Sequence, residues 1–370
     1  MSEVEIAYRA PVTLLLGTRK GLFIARSDAA REHWQLEGPH LAGYEIQRAF
    51  LDQRVPGRGY ALAEHPVWGK HIYRSNDAGH DWQPLSGLPR HRKDEHPASI
   101  KRLWSLAPGA DAEPDTIYAG IEPPGLFVSR DAGESWIPIT AFNEHVTRAS
   151  WTPAKGGLAV HSIQVNAQAA ERLYAALSAG GVYRSDDGGQ SFGPINQGVR
   201  APYLPQARPL SGHCAHRILL HPRDPMRLYQ QSHSGTYRSD DGGNHWQEIT
   251  AGLPSDFGYA LATDPSDPDS VLVIPERSSQ FRATVDGRVR VYRSYDAGRH
   301  WTALTEGLPQ EQAFVTVLRD GLDSDGLNPC GFYFGTSSGH LFASVDGGDH
   351  WRLLYGFLPG ILSVSASAAR

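Results

Sequence analysis

The sequence predicts an all-β protein, a seven-bladed β-propeller with residues 1–370 as its single domain, and three observations carry that prediction. A Ser-x-Asp-x-Gly-x-x-Trp motif recurs six times at near-constant spacing. Short apolar runs and turn residues recur in step with it. The chain also starts one strand short of a full repeat and ends on an alternating strand with no hairpin partner of its own.

The motif stands at Ser75–Trp82, Ser129–Trp136, Ser185–Phe192, Ser239–Trp246, Ser294–Trp301 and Ser344–Trp351. A weaker copy, Ser27–Trp34, has Ala29 and Arg31 where Asp and Gly stand elsewhere. An aromatic two residues before the Ser marks the end of a strand. The Asp carboxylate is placed to accept backbone N–H groups of the following turn, and the Gly supplies a positive φ. The Trp starts the next strand and has the bulk to pack between neighbouring sheets. Each motif is therefore a hairpin turn.

Upstream of each motif the strand signals repeat. In one copy Ile163-Gln164-Val165 precedes a polar turn, Leu173–Leu177 a small-residue turn, and Gly181-Val182-Tyr183 the motif itself. Downstream comes Trp-x-x-Ile/Leu, often followed by Gly-Leu-Pro. Four strands, A to D, in about 50 residues make a propeller blade, with the motif between C and D. Blade one begins with strand B (Thr13–Gly17) and lacks strand A. Ile361–Ser365 is expected to join the sheet of Thr13–Gly17 and Leu22–Arg26, closing the ring and hiding the edges an open sheet would expose.

The motifs resemble those of the BNR/Asp-box repeat family, which includes sialidases, sortilin-type receptors and photosystem II assembly factors. The resemblance spans essentially the whole chain. The stretch Gly17-Thr18-Arg19-Lys20-Gly21-Leu22-Phe23 is similar to bacterial members described as sialidase-like or glycosyl hydrolase. The resemblance implies the propeller fold and a sialidase-like glycosyl hydrolase activity. It supplies no active site: the Arg-Ile-Pro motif of sialidases is absent, and no Tyr–Glu nucleophile pair is assignable.

Composition narrows the partners. The net charge is −5 without a basic run, which argues against sequence-independent nucleic-acid binding. No apolar stretch reaches the ~18 residues of a membrane span. Met1–Pro11 carries Glu3 and Glu5 and no apolar core of a signal peptide. Cys214 and Cys330 are no disulfide framework for 370 residues, so a cytoplasmic location is expected. Nothing in the sequence specifies an oligomeric state.

In a propeller the B–C and D–A connections share one face, and the long loops fall there: Glu64–Trp68, Glu276 to Val289, Leu88 to Arg102, Ala141 to Val160 and Asn196 to His213. The B–C turns bring Arg19, Lys20, Glu64, Glu122, Gln231, His233, Glu276 and Arg277 to that face. The starts of the inner strands bring Arg48, Trp104, His161, His213, His216 and Tyr259. For any single His or Glu a structural hydrogen bond is the commoner role. As a set, these residues predict a channel-mouth site for a small polar or anionic ligand such as a sugar acid.

Three chemistries fit that set. Glycoside hydrolysis would use two carboxylates among Glu122, Glu276 and Glu64. Arg19 and Arg277 would anchor a charged ligand, with Lys20, Gln231, Trp104 and Tyr259 lining its site and the blade-six loop as a lid. A metal-dependent enzyme would gather His161, His213, His216 and His233 on a divalent ion, although strand alternation turns residues 213 and 216 to opposite faces. A non-catalytic interaction scaffold is the third reading.

Overall fold

The computed structural model describes residues 10–91, 99–151 and 157–369. Seven four-stranded antiparallel sheets form in chain order, one per repeat. Their inner strands are Ile361–Ala368, Glu45–Leu51, Arg102–Pro108, Val160–Val165, Ala215–His221, Phe257–Asp264 and Leu322–Ser324, for blades one to seven. The outermost strands are short in most blades, as at Gln83–Pro84 and Gln247–Glu248, while that of blade one runs over Trp34–His40. Among the described residues, helix is confined to Thr140–Asn143 and two 3-10 turns, and no helix is long and apolar enough to cross a membrane.

Ring closure follows the expected route but over a longer strand. Ile361–Ala368 pairs antiparallel with Val12–Thr18, from Val12 opposite Ala368 to Thr18 opposite Ile361. The hydrophobic core lies between blades. Leu272, Ile274 and Val291 of blade six pack on Phe332, Phe334 and Trp351 of blade seven, and burying one such side chain is worth about 1.5–3 kcal/mol. Two of the motif Trp residues also tie the contact down with their indole N–H. Trp246 donates to the Ile195 carbonyl at 2.7 Å and Trp301 to that of Ile249 at 2.8 Å, each in the preceding blade.

The repeated turns share one hydrogen-bond scheme. In blade five the Ser239 hydroxyl donates to Asp241 Oδ1 at 2.8 Å and accepts from the Gly243 amide at 2.8 Å. The same Asp241 oxygen accepts from the His245 amide at 2.9 Å. Gly243 has φ +95°, and a Cβ there would lie 2.5 Å from Ile195. Replacing Asp241 with Ala is expected to cost about 1–2 kcal/mol through the unpaired turn amide, with no change at the opposite face. Denaturant unfolding checks the first part and ligand titration the second.

Blade one is less degenerate than its motif. Asp28, one place earlier than the usual Asp, accepts from the Glu32 amide at 2.9 Å, four residues on, as Asp241 does from His245. Arg31 takes the glycine's place with φ 60°, and its guanidinium pairs with the buried Asp325 at 2.8 Å. The carboxylate has moved one place along the turn.

Candidate functional site at the channel mouth

Five inner strands carry the same irregularity near their start. Consecutive partner residues face Ile46 and Arg48, Leu103 and Ser105, Val160 and Ser162, Ala215 and Arg217, and Gly258 and Ala260. One residue per strand is therefore extra: Gln47, Trp104, His161, His216 and Tyr259. Such a β-bulge takes its residue out of the ladder and re-aims the side chain. Four of the five meet at the axis. The rings of His216 and Tyr259 lie 4.6 Å apart, the Arg319 guanidinium lies 5.6 Å from the Trp104 ring and 5.0 Å from that of Tyr259, and its charge acts on His161.

Blade seven supplies the axial pair. Arg319 lies between Trp104 of blade three and Tyr259 of blade six. Below it Asp320 takes both Arg48 and Arg217 on one carboxylate oxygen, the latter at 2.5 Å, so blades two, five and seven are joined through one largely buried anion. Burial pushes the Asp320 carboxyl up, but Arg48 and Arg217 outweigh it and hold it below the ordinary aspartate value.

Above this plug opens a cavity of about 790 Å³. Trp104, Glu122, Tyr259, Arg282 and Arg319 line one part of its wall, and Tyr203, Cys214, His216 and His233 another. Glu122 accepts from Lys101 at 2.7 Å and from the Trp104 indole at 3.1 Å. Arg282 comes from the long blade-six loop and lies 5.9 Å from the Tyr259 ring centre. Among the described residues neither Arg282 nor Arg319 has a carboxylate partner, unlike most arginines of the fold.

Of the residues singled out from sequence, Glu122, Trp104, Tyr259, His216 and His233 line this cavity. Several others do not. Arg19 is exposed and pairs with Glu45 at 3.0 Å; Lys20 is also exposed. Arg277 lies over the Phe281 ring at 5.7 Å. Glu64 accepts from the Leu103 amide at 2.8 Å, a link between blades. The Gln231 amide is spent inside its own hairpin, with Thr236 donating to its oxygen at 2.9 Å. His213 bonds the Val199 carbonyl at 3.1 Å, and His161 is buried with both ring nitrogens unpaired. Alternation explains His213, and the bulge explains why His216 turns to the cavity.

Arg282, Arg319 and Cys214 were not anticipated. Arg319 follows a strand-like run, residues 314–318, that forms no strand. Cys214 lies between two of the marked histidines, so its place beside them was the one available clue.

Glu276 is a special case. It is 1% exposed, and neither carboxylate oxygen has a hydrogen-bond partner of good geometry. Burial pushes its carboxyl up to about 8, although the Val317 amide and the Arg282 and Arg319 cations pull the other way. In the unfolded chain a glutamate titrates near ~4.3. Between those values the folded state holds a proton that the unfolded state has lost, so stability falls as pH rises, by up to about 1.4 kcal/mol per pH unit. Glu276→Gln should therefore gain on the parent protein between pH 5 and pH 8. Urea midpoints for both proteins at the two pH values test this; a pH-independent difference would show the carboxyl to be ionised throughout.

No protein-family model matches the chain. A xyloglucanase of Paenibacillus sp is 27% identical over 273 residues, covering 66% of this chain and 24% of that protein. The crystal structure of the GH74 enzyme of Niastella koreensis superposes with a TM-score of 0.63 and 19% identity, over 97% of this chain and 55% of that one. The structure of YCF48 bound to D1 peptide gives 0.53 and 14%, over 94% and 87%. The solved structures share the propeller fold. The chain spans about a quarter of the curated relative and about half of the GH74 structure.

Proposed function

We propose that the cavity binds a small anionic carbohydrate, a sugar acid or acidic glycoside, and that the propeller acts on it as a glycoside hydrolase. The observation that carries this reading is the pair of guanidiniums, Arg282 and Arg319, that make no ion pair with a carboxylate among the described residues and stand over the face of Tyr259. Such cations suit a carboxylate ligand. Trp104 and Tyr203 offer ring faces for an apolar sugar face beside them. The likeness to a xyloglucanase supports carbohydrate as the ligand class.

Glu122 is the acid/base candidate, because its carboxylate lines the cavity. The Trp104 indole and Lys101 fix its orientation. The blade-six loop, through Ser279, Gln280 and Arg282, covers one side and would exclude water. Titration with glucuronate and with glucose tests the binding step. Glucuronate should bind the more tightly, and Arg319→Ala should weaken it at least about tenfold while glucose changes little. Equal affinities would remove the charge argument. Cleavage of a chromogenic glucuronide, lost in Glu122→Gln with folding intact, tests the hydrolytic step.

A partner-binding role is the second reading, favoured by three exposed aromatics: Tyr203 in the cavity wall, and Phe281 of the blade-six loop with Phe314 packed against it. A peptide carboxylate would satisfy the same arginines. Competition between glucuronate and an acidic peptide separates the two.

A further inference from the structure

We propose that Cys214, His216 and His233 form a three-ligand site for a zinc-class divalent cation, with its fourth position open to the cavity. One sulfur and one nitrogen from each ring all lie within 4.8 Å of one another. A tetrahedral zinc with bonds of ~2.0–2.3 Å places its ligand atoms about 3.5 Å apart. Closure therefore takes a contraction of roughly 1 Å, within the reach of the half-buried His233 ring.

The local backbone is arranged for this. Cys214 immediately precedes the inner strand of blade five and His233 follows its neighbour, and the His233 amide donates to the Cys214 carbonyl at 2.9 Å. The bulge at His216 brings that ring back to the same side. His216 Nδ1 lies 2.6 Å from the Gly258 carbonyl. A carbonyl can only accept, so Nδ1 carries the proton and Nε2 presents its lone pair. This outer bond is the usual support of a metal-binding imidazole. Among the described residues the His233 ring nitrogens have no hydrogen bond. Burial pushes the Cys214 thiol up, and the Arg319 cation and the Ala179 amide offset this only in part, so an incoming ion has to displace the thiol proton.

One thiolate and two imidazoles suit zinc. Among the described residues no axial thioether of a blue-copper centre is present: Met226 lies against Arg172 at the far turn face. Arg282 and Arg319 stand beside the cluster and oppose a bare cation, so an anion in the open position should strengthen metal binding. The inference rests on the cluster alone and does not require the ligand to be a sugar.

The test uses the full chain and Co²⁺ as a spectroscopic stand-in for zinc. One ion per chain should bind, with a thiolate-to-metal charge-transfer band in the near ultraviolet. Cys214→Ser should remove the band and Cys330→Ser should keep it. His233→Ala, at a half-buried site that tolerates truncation, should weaken Zn²⁺ binding at least about tenfold. Acetate should tighten Zn²⁺ binding in the parent protein. No stoichiometric ion, or binding that survives both Cys214→Ser and His233→Ala, overturns the site. Loss of glucuronate binding without loss of Co²⁺ binding would count against the carbohydrate reading only.

Discussion

Removal of residues 360–370 is expected to abolish cooperative folding. The deleted strand buries Ile361, Leu362 and Val364, each 5% exposed or less, and at about 1.5–3 kcal/mol apiece their loss approaches the whole net stability of a typical domain, ~5–15 kcal/mol. It also leaves the ladder edge of Val12–Thr18 unpaired. Asp320 and Asp323 lose their backbone partners in the same strand, the amides of Val364 (on the Asp320 carbonyl) and Ala366. Near-ultraviolet circular dichroism on heating should show no sharp transition in the truncated chain. A peptide of residues 359–370 added in trans should restore part of it. A melting curve like that of the intact protein would mean that the ring does not depend on its clasp.

Asp320→Ala is the point substitution with the largest expected effect. Arg48 and Arg217 converge on one carboxylate from blades two and five. Removing a buried partner strands the opposite charge, at a cost of about 3–5 kcal/mol. Here two guanidiniums are stranded with Arg319 beside them, so repulsion adds to desolvation. Denaturant unfolding should show the loss. Asp320→Asn should recover only the hydrogen-bonding part, and Arg48→Met in the Asp320→Ala background should recover some of the charge part. A loss under about 1 kcal/mol would place the pair in the class of solvated ion pairs.

The ring was legible in the sequence because its turns need particular residues. Gly243 sits where a side chain has no room, and Asp241 and Ser239 pair in one arrangement, so the copies cannot drift far. Blade one shows the limit of such reading: Asp28 performs the turn from the neighbouring position, and a fixed template passes over it. The cavity was legible only in part. Trp104, Glu122, His216, His233 and Tyr259 were marked by the face they occupy. Arg19 and Arg277 share that face but lie outside the cavity wall, because face membership does not tell the rim from the axis. Arg319 reaches the axis from residues 314–318, a run that reads as a strand and forms none, and period-two alternation misplaces any residue after a bulge. The donor set of Cys214 with two histidines depends on just such a bulge.

The five bulges also bear on how this protein could change. A residue in a ladder answers to two neighbouring strands and to the packing on its face. Gln47, Trp104, His161, His216 and Tyr259 have been released from the first of those obligations. Trp104, His216 and Tyr259 line one opening, so exchanging these three one at a time alters what the opening recognises while the inter-blade cores stay as they are. The barrel of the molecule and the combination set in its lock are separate parts.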